Sequence, residues 1–330
     1  MSKRDDGSAK LPIVISQGEP AGIGPEIAVK AWAALGGAIA GRRLRLIGSA
    51  DLFRKTAASN IIDPHRLRDA IIDTGHEIRG QPGRPSKDNA AAVTGAIEQG
   101  VRACQNGEAA ALVTAPIHKA VLTQAGFGFP GHTEFLAALT GRERAVMMLA
   151  ASDAAPPLRV VPFTIHIPLK DIFARLDPDA IAATAVVVIE ALAQDFGCIK
   201  PRLAIAGLNP HAGEDGTMGT EDSGIIAPAV ARLRSMGHNV SGPLPADTMF
   251  HADAREAYDA ALCMYHDQAL IPIKTIAFWT GVNVTLGLPI VRTSPDHGTA
   301  FDIAGKGIAN PASMIAAIGM AADIADRRGL

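Results

Sequence analysis

Three histidines in this sequence each stand at or just beyond the end of a short apolar run: His166 after RVVPFTI, His211 within LAIAGLNPHAG and His266 within AALCMYHDQ. The runs have the composition of buried strands, and the intervals between them are long enough for a helical crossover and return. In open α/β sheets, ligands gather outside the carboxyl ends of the strands. Imidazoles delivered there from three strands can converge on one divalent metal and leave a position for substrate. A lone histidine after a strand is more often a hydrogen-bonded loop residue, so the repetition carries the suggestion. Asp267 and Asp247 are acceptors suited to the second ring nitrogen of such ligands. Gln268 reads as a further support, and Asp247 also reads as a general base.

A second set of residues suits an anion. Phe129-Pro130-Gly131-His132-Thr133 precedes a helical pattern over 134–140, with Thr133 as its N-cap. The free amides and dipole of a helix start favour a phosphate or carboxylate. Lys274, Asn283 and Arg292 then fall in IPIKTIAFWTGVNVTLGLPIVRTS, a strand-rich segment of low charge density. A point charge, a neutral donor and a planar fork together suit a phosphoester. The plainer reading sends Lys274 and Arg292 to the surface along their aliphatic stems. ISQGEPAGIGPEIAVKAW (15–32) follows a strand and enters a helix. It has neither the glycine spacing of a dinucleotide fingerprint nor the Gly-Lys-Ser/Thr of a P-loop.

The elements that must position these residues alternate between short β-branched runs and longer helical patterns, the signature of βαβ units. Strands are expected at 12–16, 44–47, 110–114, 145–149, 159–165, 203–207, 260–265 and 283–286. Helices are expected at 26–35, 87–105, 134–140, 179–194, 222–236 and 312–326. Ser86 caps the second of these, Gly107 follows its end, and Pro311 sits in the first turn of the last. Hydrophobic residues make up 48% of the 330-residue chain but aromatics only 4%, which favours α/β layers over a β-sandwich. With 31 basic against 33 acidic residues, no global field draws nucleic acid or an anionic membrane, and any anion needs a local site. Cys104, Cys198 and Cys263 are scattered singly, which suggests neither a disulfide framework nor a zinc ribbon and fits a reducing cytoplasm. No apolar run reaches the roughly 18 residues of a membrane span, and the start lacks the apolar core of a signal peptide. Residues 1–10 read as a loose tail. No proline- or serine-rich linker divides the chain, so two lobes joined through the sheet, with a cleft between them, are expected.

GEPAGIGPEI (18–27), VTAPIHK (113–119), GHTEFLA (131–137), GLNPHAGEDG (207–216), MYHDQALIPIK (264–274) and GVNVTLGLPIVRTSPDHGTAFDIAG (281–305) together resemble the 4-hydroxythreonine-4-phosphate dehydrogenase family. These are NAD-dependent enzymes of the deoxyxylulose-phosphate-dependent route to pyridoxal phosphate. GIGPEI and DHGTAFDIAGKGIANP echo the wider isocitrate and isopropylmalate dehydrogenase superfamily. The resemblance implies a two-lobed α/β/α fold with a mainly parallel sheet and an active-site cleft between the lobes. Its first lobe would be 1–130 plus 285–330, with the glycine-rich and adenosine-binding segments. The second would be 131–284, with metal and substrate residues and dimer contacts.

The resemblance further implies that His166, His211 and His266 hold one divalent ion per site (Zn, Mg, Mn or Co), in a site shared across a homodimer interface. His132, Thr133, Lys274, Asn283 and Arg292 correspond to substrate-binding positions. His297, Asp302 and Asn310 correspond to the adenosine-binding loop for NAD or NADP. The implied reaction oxidises 4-phosphooxy-L-threonine at its 3-hydroxyl to a β-keto acid, which decarboxylates to 3-amino-2-oxopropyl phosphate. Asp247, Lys119 and a metal-bound hydroxide stand open as the base. A dehydrogenase of another phosphorylated hydroxy acid, such as 4-phosphoerythronate, is the nearest alternative. A phosphate acyltransferase shares the superfamily fold but needs neither the histidines nor a nicotinamide, and a catalytically silent metabolite-binding module is a third. The expected setting is cytoplasmic, without membrane or nucleic acid.

Overall fold

The computed structural model describes residues 10–129 and 131–330. The tail expected at 1–10 therefore lies outside the described residues except for Lys10, which is held: its Nζ stands 2.9 Å from Asp326 Oδ1. In chain order the elements are β1 (Ile13–Ser16), α1 (Gly24–Ala34), β2 (Ala38–Ile39), β3 (Arg42–Gly48), α2 (Ala50–Ser59), β4 (Ile71–Asp73), α3 (Ala90–Gln105), β5 (Ala111–Thr114), α4 (Lys119–Gln124) and α5 (His132–Leu139). They continue with β6 (Val146–Ala151), β7 (Leu158–Pro162), α6 (Pro178–Gln194), β8 (Arg202–Ala206), α7 (Ala227–Ser235), β9 (Asn239–Leu244) and α8 (Ala252–Arg255). Last come β10 (Ala260–Cys263), α9 (His266–Ile276), β11 (Val282–Leu286), β12 (Val291–Pro295) and α10 (Ala312–Arg327).

The chain forms two compact units, one ending at Gly141 and resuming over Leu288–Leu330, the other Arg142–Gly287. Both are α/β. The breaks fall later than the 130/131 and 284/285 expected from sequence, so α5, with His132 and Thr133, belongs to the first unit. There α5 packs on α3, and Gln105 Nε2 donates to Leu139 O at 3.4 Å. In the first unit β1 lies between β3 and β5, parallel to both. β12 extends β5 in parallel. All four residues of β1, IVIS, are buried, because a strand paired on both edges and covered on both faces has no polar side to show. Helix α3 packs along β1, β3 and β5, while α10 packs on β12 and β5.

In the second unit the order is β11–β6–β7–β10–β8–β9. β11, β6 and β7 pair antiparallel, and β7, β10, β8 and β9 run parallel. Leu149, Val160, Ala204, Ala261, Ala269 and Ile273 are among the residues of its core. Helix α9 buries Ala269, Ile273 and the following Ala277 at successive four-residue steps, the spacing of one helical face.

Several local expectations change. Residues 266–276 are helical, so Lys274 lies on α9 and not in a strand, and Ile271 is exposed because it faces away from the buried stripe. Gly131, with extended backbone, is the N-cap of α5, which puts Thr133 inside the helix. Pro311 occupies the N-cap position of α10, just outside its first turn, without a side-chain capping bond. The 222–236 helix opens as a π-turn, Asp222–Ile226, before α7. Ser86 accepts from Asp88 N as a cap, and Gly107 closes α3 in the left-handed region at φ 71°.

One segment is unusual. After β8, residues His211 to Asp215 all have positive φ, from 40° at Glu214 to 82° at Gly213. For a residue with a Cβ, left-handed helical backbone costs about 1–2 kcal/mol. The buried carboxylate of Asp222 helps offset this by accepting from Leu208 N at 2.7 Å, Asn209 N at 3.1 Å and Asn209 Nδ2 at 3.0 Å. A Cβ on Gly213 would stand 2.9 Å from the Gly219 carbonyl oxygen. Gly213→Ala therefore combines strain with a backbone clash, and urea unfolding should record a loss of about 2 kcal/mol.

The first unit closes through Arg42, whose fully buried guanidinium meets Asp326 at 2.6 Å and Leu11 O at 3.0 Å. The hydrogen bond from Lys10, followed by that from Arg42, holds the Asp326 carboxyl below its ordinary range. A carboxyl depressed in the folded state contributes stability above its unfolded value, about 4, and loses it as pH falls through the folded value. Asp326 is 40% exposed, so screening keeps its contribution to about 1 kcal/mol. Asp326→Asn should be destabilised by that amount at pH 7, and urea unfolding in strong acid should find it no weaker than the parent.

Candidate active site

The three histidines follow adjacent strands. β10 pairs parallel with β7 through Ala261↔Val160 and with β8 through Ala261↔Ala204, so the three carboxyl ends lie side by side. His166 sits in the turn after β7 with a strained φ of 46°. His266 opens α9 just past β10, and His211 begins the left-handed turn after β8. The His166 and His266 rings stand 5.4 Å apart, centroid to centroid. His266 Nδ1 lies 2.6 Å from Asp267 Oδ1. A proton shared there leaves the Nε2 lone pair for a ligand, the arrangement usual at histidine metal sites.

Among the described residues, no three His, Cys, Asp or Glu side chains are grouped to hold an ion. The structure thus pairs His166 with His266, and His211 does not complete a three-ligand group. The donor chemistry still fits a divalent transition ion, since it offers two neighbouring imidazoles, one already oriented by a carboxylate. A cavity of about 330 Å³ is lined by His166, His266, Asp267, Thr164 and Tyr265. Another, of about 320 Å³, is lined by Asp247, Phe250, Tyr265, Asp267 and Gln268. Asp247 is exposed and shares its cavity with the partner of His266. Lys119 is exposed in the first unit, at the start of α4.

The first unit holds the anion candidates His132, Thr133 and Arg292. Arg292, on β12, is 2% exposed, so it does not reach the surface. Its Nε and Nη2 lie 3.1 and 2.6 Å from Thr114 Oγ1 at the end of β5, and Nη2 lies 3.2 Å from His132 Nδ1. A guanidinium only donates, so His132 Nδ1 accepts and the ring proton sits on Nε2. That Nε2 is buried without a partner. Desolvation, with the Arg292 charge beside it, holds the imidazole neutral, well below its usual range. Burial lowers Arg292 to about 9, which leaves it charged at neutral pH. A buried cation, an unused N–H donor and a helix start are chemically suited to an anion. Lys274, half-buried on α9, holds its ammonium 5.6 Å from the Phe278 ring centroid. Asn283 is half-buried on β11 opposite Leu149.

The glycine-rich segment and the 297–310 loop pack on each other. Ile23 N donates to Thr299 O at 2.9 Å and Ala309 N to Glu26 Oε1 at 2.9 Å. Lys30 Nζ donates to Gly307 O and Ala309 O at 2.8 and 3.0 Å. Gly22 has to be glycine, because a Cβ there would lie 2.8 Å from Thr299 O. His297 and Asp302 are exposed on this loop. Asn310, also exposed, accepts from Ala312 N at 2.9 Å and so caps α10. Sequence reasoning missed Glu19, whose fully buried carboxyl is pushed up by desolvation. It also missed Thr114 and Asp222, whose side-chain types carry no signal until the fold aligns them.

Known proteins bear on this arrangement. The family described as pyridoxal phosphate biosynthetic protein PdxA matches residues 40–321. A 4-hydroxythreonine-4-phosphate dehydrogenase of Roseobacter denitrificans is 55% identical over 330 residues, covering 97% of this chain and 98% of that protein. The crystal structure of a 4-hydroxythreonine-4-phosphate dehydrogenase from Klebsiella pneumoniae superposes with a TM-score of 0.83 at 38% identity, over 96% of this chain and all of that one. A β-decarboxylating dehydrogenase from Thermococcus kodakarensis shares the fold at 18% identity, with a TM-score of 0.52 over 97% of this chain and 84% of that one. On the full-length likeness to the first two and the family match, this chain belongs to the pyridoxal phosphate biosynthetic protein PdxA family.

Proposed function

We propose that this protein is an NAD-dependent dehydrogenase that oxidises 4-phosphooxy-L-threonine at its 3-hydroxyl. The resulting β-keto acid loses carbon dioxide to give 3-amino-2-oxopropyl phosphate, in the biosynthesis of pyridoxal phosphate. The observation that carries the reading is near-full-length similarity to enzymes named for this substrate. The buried Arg292–His132 pair supports it, because its donors suit the phosphate such a substrate carries.

Arg292 and the unused Nε2–H of His132 take the phosphate, with the first-turn amides of α5 at Thr133 adding donors, and Lys274 is a further proposed substrate-binding position. The phosphate then serves as a remote handle whose binding energy orients the reacting carbon. Asn283 contributes a neutral donor to the substrate. A divalent ion held by His166 and His266, with His211 drawn in as third ligand when the ion binds, would supply Lewis-acid stabilisation of negative charge developing on the oxidised oxygen. Asp267 keeps the His266 ring in its ligating tautomer. Asp247 is the better placed of the two candidate side-chain bases, since it shares a cavity with Asp267; it would take the hydroxyl proton, and NAD, when bound, would supply the hydride acceptor. The 297–310 loop, with His297, Asp302 and Asn310, is the proposed adenosine-binding segment. Exposed Phe278 and Trp279, with ring centroids 5.2 Å apart, and exposed Ile271 on α9 are apolar side chains that suit a homodimer contact, and the shared active site of such a dimer belongs to the same proposal. No helix of the described residues is long and apolar enough to cross a membrane, and Cys104, Cys198 and Cys263 are not joined in disulfides, in keeping with the proposed cytoplasmic setting.

Incubation with NAD and 4-phosphooxy-L-threonine should produce NADH absorbance, and absence of turnover on this substrate would remove the proposed activity. Arg292→Ala loses charge-assisted hydrogen bonds worth about 1.5–3 kcal/mol, so KM should rise roughly ten- to a hundredfold. An unchanged KM takes Arg292 out of the phosphate site. Elemental analysis should find one equivalent of divalent metal in the parent and little in His166→Ala or His266→Ala. Turnover untouched by a chelator would leave the dehydrogenase standing and discard the metal.

A further inference from the structure

A short chain of hydrogen bonds ties the three histidine-bearing segments together, and it runs through one buried amide. Gln268, in the first turns of α9, is 8% exposed. Its side-chain oxygen accepts from Met264 N at 2.7 Å, and its side-chain nitrogen donates to Gly207 O at 2.7 Å. These partners fix which end of the amide is which, because an N–H needs an acceptor and a carbonyl needs a donor. Met264 stands two residues before His266, and its carbonyl accepts from Thr164 Oγ1 at 2.7 Å. Thr164 stands two residues before His166. Gly207 leads into Leu208 and Asn209, whose amides end on Asp222, and then into His211.

The position of these bonds is informative. β10 ends at Cys263 and β8 at Ala206, so Met264 and Gly207 are the first residues past the paired ladder. There the backbone groups need other partners, and a single side chain supplies both. We propose that Gln268 is a positioning residue: it extends the β10–β8 pairing past its end and so sets the separation between the His211 arm and the His166–His266 pair. The inference rests on the metal reading given above. Gln268 is not itself a ligand, since both ends of its amide are used. No other neutral side chain than glutamine or asparagine carries donor and acceptor on one rigid fork, and asparagine is a methylene shorter. Glutamate would keep the bond from Met264 N but turn an oxygen toward Gly207 O. Methionine, of similar size, would supply neither bond.

Calorimetric titration of the metal-stripped chain with zinc tests this, with zinc-free urea unfolding run alongside. The unaltered chain should bind one zinc. Gln268→Glu and Gln268→Met should bind it about ten- to a hundredfold more weakly, the usual cost of losing a group that orients metal ligands. A purely structural role would lower the zinc-free unfolding midpoint and leave the affinity of the folded chain unchanged, and that result overturns the proposal. Should Gln268→Met fail to fold, Thr164→Val and Thr164→Ser ask the same question at the other link. Valine should weaken zinc binding and serine restore it, and equal affinities overturn the proposal. An unaltered chain that takes up no zinc, or His166→Ala and His266→Ala chains that bind it as tightly as the parent, would bring down the metal reading and this inference with it. Zinc bound normally by the parent and by Gln268→Glu would bring down this inference alone.

Discussion

The parallel pairing of β7, β10 and β8 is the constraint on which the second unit's chemistry depends. Parallel neighbours end at the same edge, so whatever follows each strand is delivered to one region. Antiparallel pairing would have sent alternate loops to opposite edges. The strands themselves are almost wholly apolar and buried, which leaves their carboxyl ends as the first places where polar groups can appear. Those ends cannot be left unpaired, and Gln268, Thr164 and Asp222 hold the backbone there. The same three residues that satisfy the turn peptides therefore also set where His166, His211 and His266 stand.

The first unit solves a different problem with similar means. Arg292 is carried on a strand and buried, a costly place for a cation unless hydrogen bonds hold it. Thr114 and His132 supply such bonds, and they come from the end of a neighbouring strand and the start of a helix. The imidazole is kept neutral by the same burial, so it adds a donor without adding a second charge.

Much of this was legible in the sequence. The alternation of apolar runs and helical patterns predicted the α/β class, and the strands preceding His166, His211 and His266 lie within a few residues of where they were expected. What could not be read came from tertiary context. Residues 271–274 fall in a segment whose composition reads as strand-rich, and only the burial of Ala269, Ile273 and Ala277 on one face makes them part of a helix. Thr133 is a good N-cap by type, but Gly131 takes that place with extended backbone. Edge strands such as β9, NVSGPL, are half-exposed and carry little hydrophobic signal. Asp222 was invisible as a functional support because two of its three bonds come from backbone amides, which nearly every residue has. The left-handed run over 211–215 was equally hidden, since only one of its five residues is glycine.

The neutral His132 has a consequence for how the protein would sense acidity. With its proton fixed on Nε2 and Arg292 charged throughout, no group in that pair changes its ionisation between mildly acidic and mildly alkaline solution. A phosphomonoester, by contrast, sheds its second proton near pH 6. Any acid–base dependence of the proposed phosphate capture in that range would then belong to the guest molecule, with the host acting as a fixed electrostatic mould.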